Sequence, residues 1–353
     1  MRKLIGEQVA RSGGWLPFDR YMALALYAPG LGYYANASRK FGTMPGSGSD
    51  FVTAPEMSPL FGRMLAVQVR EALEQTGTHE VWEFGAGSGA LAVELLETLG
   101  ERVRRYTIVE LSANLRARQQ QALAAFGPRV TWADQLPETI EGVVVGNEVL
   151  DAMPVKLLAR RNGAWHERGV ALRDGRLAWS EVPTHLVPPV VPAGTGDYVT
   201  EVHHQAEAFM RTLAERLVAG AAFFIDYGFP EAEYYHPQRS MGTVMCHRGH
   251  LADADPLDAP GEKDITAHVN FTGIAVAAQE AGLPTLGYAS QGRFLVNCGI
   301  GEAMAALPVQ DQVAAQRLIA DHEMGELFKV IGFQRGAFWD AIGFRTGDRT
   351  HTL

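Results

Sequence analysis

Only two cysteines, Cys246 and Cys298, occur in 353 residues. That is too few for a disulfide framework, and the pair fits a reducing compartment. No apolar run approaches the length that spans a bilayer, so no membrane span is expected. The opening MRKLIGEQVARSGGW is too short and too polar to hold a signal-peptide core. The cytoplasm is the expected location, with the mitochondrial matrix as the alternative if the chain begins after a removed presequence. Basic residues number 31 against 40 acidic ones, and no dense Lys/Arg run is present. A phosphate backbone would therefore meet a repulsive surface, and nucleic acid is not an expected partner. Three catalytic signatures are also missing: the G-x-S-x-G elbow, the P-loop lysine and the H-E-x-x-H zinc motif. Cys246, His247 and His250 form one C-H-x-x-H cluster. Without a second Cys/His pair at ligand spacing, no structural metal is expected there.

What remains is 47% hydrophobic and 20% charged, the composition of a globular enzyme. Up to residue 77 the pattern gives amphipathic helices at FDRYMALALYAPG and SPLFGRMLAVQVREALEQTG. Between them lies KFGTMPGSGSDFVTAPE, a Gly/Ser/Pro segment that carries Asp50, Phe51, Thr53 and Glu56 and reads as a shaped loop able to close over a ligand. From Glu80 short apolar runs alternate with helices, which predicts a parallel sheet with crossover helices and an α/β, Rossmann-like fold. Strands are expected at EVWEFG, RRYTIVEL, RVTWA, GVVVGNEV, AAFFIDYG, PTLGYAS and LFKVIGFQRG. Helices are expected from Gly89 to about Leu99, through SANLRARQQQALAAF, over HHQAEAFMRTLAERLVAG and over FTGIAVAAQEAG. A strand-turn-strand pattern around Asp174-Gly175 predicts a hairpin inserted into the core at about 160–182. Residues 229–270 are too long for an idle connection and read as a substrate loop. The expected organisation is an N-terminal helical or lid segment, 1–77, followed by a domain over 78–353.

The motif VWEFGAGSGAL places Gly85, Gly87 and Gly89 where a strand becomes a helix. There the backbone can meet a ligand and the helix N-terminus favours a negative group. The spacing of Gly85, Gly87 and Ala90 also satisfies the relaxed dinucleotide fingerprint, so the glycines alone leave nicotinamide or flavin binding open. Acidic residues shift the balance toward S-adenosylmethionine. Glu83 precedes the loop, where it can face the amino group of a methionine moiety but would oppose a pyrophosphate. Glu110 ends the next strand and can accept from ribose hydroxyls. Asp134 follows the third strand, where an adenine amine needs an acceptor. Each could instead be an ordinary exposed carboxylate; together they mark successive strand ends.

GVVVGNEVLDAMPV ends in Asn147, Glu148 and Asp151, at the carboxyl end of a buried strand that opens on the ligand crevice of such folds. These residues are the candidate catalytic set. Carboxylates there suit a guanidinium, whose planar fork they can clamp. The plainer alternative has Glu148 capping a turn and Asp151 pairing with Lys156 or Arg160. Asp226 and Tyr227 end a strand at the same edge and either line the acceptor site or bond the neighbouring loop. His203 and His204 open a helix as surface or capping residues. Methyl transfer from a sulfonium needs alignment and water exclusion rather than a covalent nucleophile, which fits the missing signatures.

Eight ordered segments, LPFDRYMALALYAPGLGYY, SDFVTAPEMSPLFG, EFGAGSGALA, NEVLDAMPV, IDYG, GEKDITAHVNF, SQGRFLVNCGI and MGELFKVIGF, carry a resemblance to the MidA family of class I methyltransferases. The resemblance implies a seven-stranded methyltransferase sheet, an N-terminal helical segment over an S-adenosyl-L-methionine cofactor, and methylation of an arginine on a protein. For the mitochondrial members it implies a role in assembly of respiratory complex I, which makes a complex I subunit the implied partner. This chain departs from the family at Ser49, Ala86 and Asn270. The last replaces an acid, so no catalytic carboxylate is placed there.

Overall fold

The computed structural model describes residues 1–36, 53–248 and 251–353. Its main sheet comprises β1 (Glu80–Phe84), β2 (Arg105–Val109), β3 (Val130–Ala133), β4 (Ile140–Asn147), β5 (Leu217–Phe229), β6 (Thr285–Ser290) and β7 (Phe328–Arg335). The strands lie in the order β3-β2-β1-β4-β5-β7-β6. β1 to β5 pair in parallel, and β7 runs antiparallel between β5 and β6. A two-residue strand, Val269–Asn270, extends the sheet beside the end of β5. The Rossmann-like expectation is met. Strand order reverses between β1 and β4, and that reversal opens a crevice at the carboxyl ends of the strands.

Both faces of the sheet are covered, which is why β4 and β5 read as unbroken apolar runs. Val143 and Val145 enter one core with Leu65, Val69, Leu91 and Leu95. These leucines and this valine come from helices Pro59–Thr76 and Ala90–Leu99. Val144 enters the other core with Met210, Leu213 and Ile274, from helices His204–Arg216 and Phe271–Glu280. Helix Pro59–Thr76, grouped by sequence with the N-terminal segment, thus packs on the main sheet.

The helix expected over 203–220 ends at Arg216, and the following Leu-Val-Ala-Gly begins β5. A side chain at Gly220 would collide with the Gly142 carbonyl of the paired strand. Glycine is needed there for strand approach, not to end a helix.

The expected hairpin forms from Ala164–Arg173 and Arg176–Pro183, with Asp174 and Gly175 at φ 50° and 74°. It does not join the main core. It builds a separate antiparallel sheet with Lys156–Arg161, Tyr198–Val202 and the N-terminal Trp15–Pro17. Helices Arg2–Arg11 and Phe18–Tyr27 pack there in a third cluster, with Ile5, Phe18 and Met22 against Leu157 and Val170. The described residues of segment 229–270 include helix Glu231–Tyr234 and a three-stranded sheet of Met245–Arg248, Leu251–Asp253 and Asp264–Thr266. Among the described residues no helix is long and apolar enough to cross a membrane.

Candidate active site

β1 ends at Phe84, and the chain turns through Gly85 to Gly89 into helix Ala90–Leu99. Gly85, Gly87 and Gly89 have φ of 63°, 53° and 90°, a region that favours glycine. The turn walls a cavity of about 930 Å³, near the upper end of the range for ligand sites. Glu83, Gly85, Gly87, Glu110, Asn147, Glu148, Asp151 and Thr53 all line it, so β1, β2 and β4 bring the predicted residues together. Two predicted residues lie elsewhere. Gly89 caps the helix, and a Cβ there would lie 3.7 Å from the Gln119 Cα. Asp134 is exposed and off the lining, because the chain leaves β3 toward solvent. Asp50 and Phe51 fall outside the described residues, whereas Glu56 reaches the cavity wall.

Glu83 and Glu110 are not ordinary surface carboxylates: they are 2% and 7% exposed. Tyr106 Oη donates to Glu83 Oε2 at 2.7 Å. Burial pushes the Glu83 carboxyl up to about 8, with the Tyr106 bond opposing and Glu110 adding to the rise. Burial also raises Glu110, against donation from Ser112 N at 2.8 Å to Oε1 and from Gln119 Nε2 at 3.0 Å to Oε2. Each carboxylate oxygen can accept more than one hydrogen bond, so Glu110 retains capacity for ribose hydroxyls. A glycine turn, an acid at the end of β2 and an acid beneath the turn together fit S-adenosylmethionine.

The wall that follows β4 is acidic. Asn147 Nδ2 donates to Glu148 Oε1 at 2.9 Å, and the buried Asn147 Oδ1 has no partner among the described residues. Glu148 adopts φ 53°, and its N–H donates to Ile225 O at 2.9 Å. Burial first and Asp151 second push its carboxyl up to about 8, while the Asn147 bond opposes. Tyr227 Oη donates to Asp151 Oδ2 at 2.5 Å, and the buried Asp151 Oδ1 has no partner among the described residues. Burial raises Asp151 to about 6, and the Tyr227 bond restrains it. The alternative ion pair is not formed. Lys156 binds Asp19 and Glu167 at 3.2 and 2.7 Å, and Arg160 donates to the Gly196 and Pro192 carbonyls. Asp226 serves the loop: its Oδ2 accepts from Val149, Leu150 and Asp151 N–H at 3.2, 2.9 and 3.2 Å. Tyr227 lines the cavity.

Sequence reasoning missed Tyr27, Tyr34, Asp264 and His268 on this wall. Tyr34 Oη donates to Asp264 Oδ1 at 2.9 Å, and the Tyr27 and Tyr34 rings stack 5.6 Å apart. Burial lowers His268 to about 4, so the ring is neutral at physiological pH. Asp264 lies in the quoted GEKDITAHVNF segment, but no spacing rule ties it to Glu148 or to Tyr34, 230 positions away. Asn270 caps helix Phe271–Glu280 by accepting from Gly273 N at 3.2 Å, a role that an amide fills as well as an acid. His203 is a buried cap residue bonded to Tyr234 Oη at 3.0 Å, while His204 is exposed. Cys246 is buried and unpaired by a disulfide, and His250 lies outside the described residues. Among the described residues no group of three or more His, Cys, Asp or Glu could hold a metal.

Comparison with known proteins agrees with this geometry. Residues 64–289 match the S-adenosyl-L-methionine-dependent methyltransferase family model. The chain is similar to a Burkholderia thailandensis protein solved with bound S-adenosyl-homocysteine: 49% identity, TM-score 0.95, 100% of this chain and 96% of that one. It is also similar to the protein arginine methyltransferase NDUFAF7 of Danio rerio, with 28% identity over 90% of this chain and 82% of that one. The mitochondrial Homo sapiens protein of the same name is 26% identical over 89% of this chain and 77% of its own length. With the glycine turn, Glu110 and the match over residues 64–289 in agreement, the chain belongs to the MidA family of S-adenosyl-L-methionine-dependent methyltransferases.

Proposed function

We propose that this methyltransferase acts on the guanidinium of an arginine in a protein substrate. The observation that carries the reading is the pair of a half-buried Glu148 and a buried Asp151 on the cavity wall after β4, with no partner for Asp151 Oδ1 among the described residues. Buried carboxylates need a cation or proton to offset desolvation, and a guanidinium offers both charge and a donor fork. When bound, S-adenosylmethionine supplies an electrophilic methyl on a sulfonium. Glu148 and Asp151 orient the guanidinium so that one nitrogen faces that methyl. The attacking nitrogen gains the methyl and gives up one proton, and a carboxylate held near the upper end of its range is suited to take it. Tyr27, Tyr34 and Tyr227 flank the acids, which helps to exclude water. The arginine methyltransferase names of the relatives support the acceptor class, and a respiratory complex I subunit is the partner that the family resemblance implies.

The test is co-expression with a candidate acceptor protein, followed by mass mapping of methylated sites. Methyl groups on arginine that disappear with Glu148→Gln support the proposal. Transfer confined to another nitrogen, or to small molecules, overturns it.

A further inference from the structure

Gln119 lies in helix Ala113–Ala122, outside the cavity lining, and is fully buried. Its Nε2 donates to Gly87 O at 3.0 Å and to Glu110 Oε2 at 3.0 Å, while its Oε1 accepts from Trp132 Nε1 at 3.0 Å. The partners fix the amide orientation. The indole can only donate, and the carbonyl and the carboxylate can only accept. Among these contacts both amide hydrogens and one lone pair are used, and the partners belong to three successive strands or the connections that follow them. One is the turn after β1, one the residue after β2, and one lies within β3. Gln119 also packs beneath the turn, where a Cβ on Gly89 would lie 3.7 Å from its Cγ.

We infer that Gln119 is a positioning residue for the cofactor: it locks the glycine turn and the Glu110 carboxyl into one rigid unit aimed at the ribose hydroxyls. The inference rests on the cofactor assignment of the glycine turn and not on the identity of the acceptor. Without the amide, the Gly87 carbonyl loses a buried donor and the turn loses its tie to Glu110. The donor also opposes the upward push of burial on Glu110, alongside Ser112 N and Arg116. Removing it favours the protonated acid, a poorer acceptor. Trp132 is the outer anchor. It is partly buried, and its indole N–H prevents the amide from turning over.

Three variants test this by calorimetry with S-adenosyl-homocysteine, each checked for cooperative unfolding. Gln119→Leu should weaken binding about tenfold or more, the loss of one or two hydrogen bonds to a charged partner. Gln119→Glu keeps an acceptor for Trp132 but removes the donor and puts a second acid beside Glu110. It should bind weakly at pH 8 and recover much of its affinity near pH 5.5, where the introduced carboxyl carries a proton and can donate. Wild type should show no such recovery. Arg116 and Glu83 face Glu110 in every variant and serve as a common background. Trp132→Phe, which leaves Gln119 in place but free to rotate, should cost about threefold and carries the test if Gln119→Leu fails to fold. Wild-type affinity in Trp132→Phe and Gln119→Glu, or a Gln119→Glu loss that is constant with pH, overturns the inference. Failure of wild type itself to bind would instead overturn the cofactor assignment.

Discussion

Tyr227 Oη donates to Asp151 Oδ2 at 2.5 Å, joining the end of β5 to the loop after β4. Burial raises the Asp151 carboxyl to about 6, and this bond keeps it from rising further. Tyr227→Phe removes the donor and leaves the burial. The acidic limb of the kcat/KM profile for methyl transfer should move to higher pH by about one unit, with cofactor affinity unchanged. A limb that stays in place would separate Asp151 from the reaction.

Glu148→Gln and Asp151→Asn keep shape and remove charge. Each should lower single-turnover transfer to an arginine acceptor by about a hundredfold, comparable with losing one preorganised electrostatic partner, while S-adenosylmethionine binds as in wild type. If the two act as a pair, the double variant should cost less than the sum of the singles. Wild-type transfer in both singles would make these acids structural.

The raised carboxyls also set a sign for stability against pH. Glu83 and Glu148 have ordinary values of 4.5 and rise to about 8 in the fold, chiefly through burial. The folded chain therefore holds more protons than the unfolded chain between those values. Their stabilising contribution is complete below pH 4.5 and is lost as pH rises through 8. The loss amounts to about 1.4 kcal/mol per pH unit for each proton of difference. Urea denaturation at several pH values should show Glu148→Gln with a flatter profile across this window than wild type. An unchanged slope would show that the acid is solvated in the native state.

On the cofactor wall, Gly87→Val places a branched side chain at φ 53°, and Glu110→Ala removes the acceptor at the end of β2. Folded variants of both should bind S-adenosyl-homocysteine about tenfold or more weakly. Calorimetry that finds wild-type affinity in both would remove these residues from the site.

Asp226 calls for a different outcome. Its Oδ2 gathers three consecutive backbone N–H groups of the acid-bearing loop, and Tyr227 N donates to Oδ1 at 3.0 Å. Asp226→Ala would orphan these donors, so it should destabilise the fold by about 3 kcal/mol, read as a lower denaturation midpoint. A midpoint unchanged from wild type would show that water replaces the carboxylate.

The inner strands β4 and β5 were legible in the sequence because both of their faces are buried and each is a dense apolar run. The acids at the ends of β1, β2 and β4 could be picked out because such folds place ligands at strand ends. The second sheet was only half visible. Trp15 pairs with Ala171, and a three-residue strand carries no period of its own. Gln119 was hidden for another reason: it is a polar residue in RARQQQ that differs from its neighbours only in being buried. Asp134 shows the opposite failure: it occupies the expected position along the chain, but its side chain faces solvent.

The φ of 53° at Glu148 sets two selective pressures against each other. A β-carbon in that conformation costs about 1 kcal/mol, and glycine would relieve it while deleting the carboxylate. A lineage evolved for heat resistance without a turnover screen would drift toward glycine at this codon and, on the role proposed for Glu148, lose methyl transfer. Asn162 and Asp174 share the same backbone region at φ 50°, but they are residue types that tolerate it in tight turns. They leave selection nothing comparable to trade.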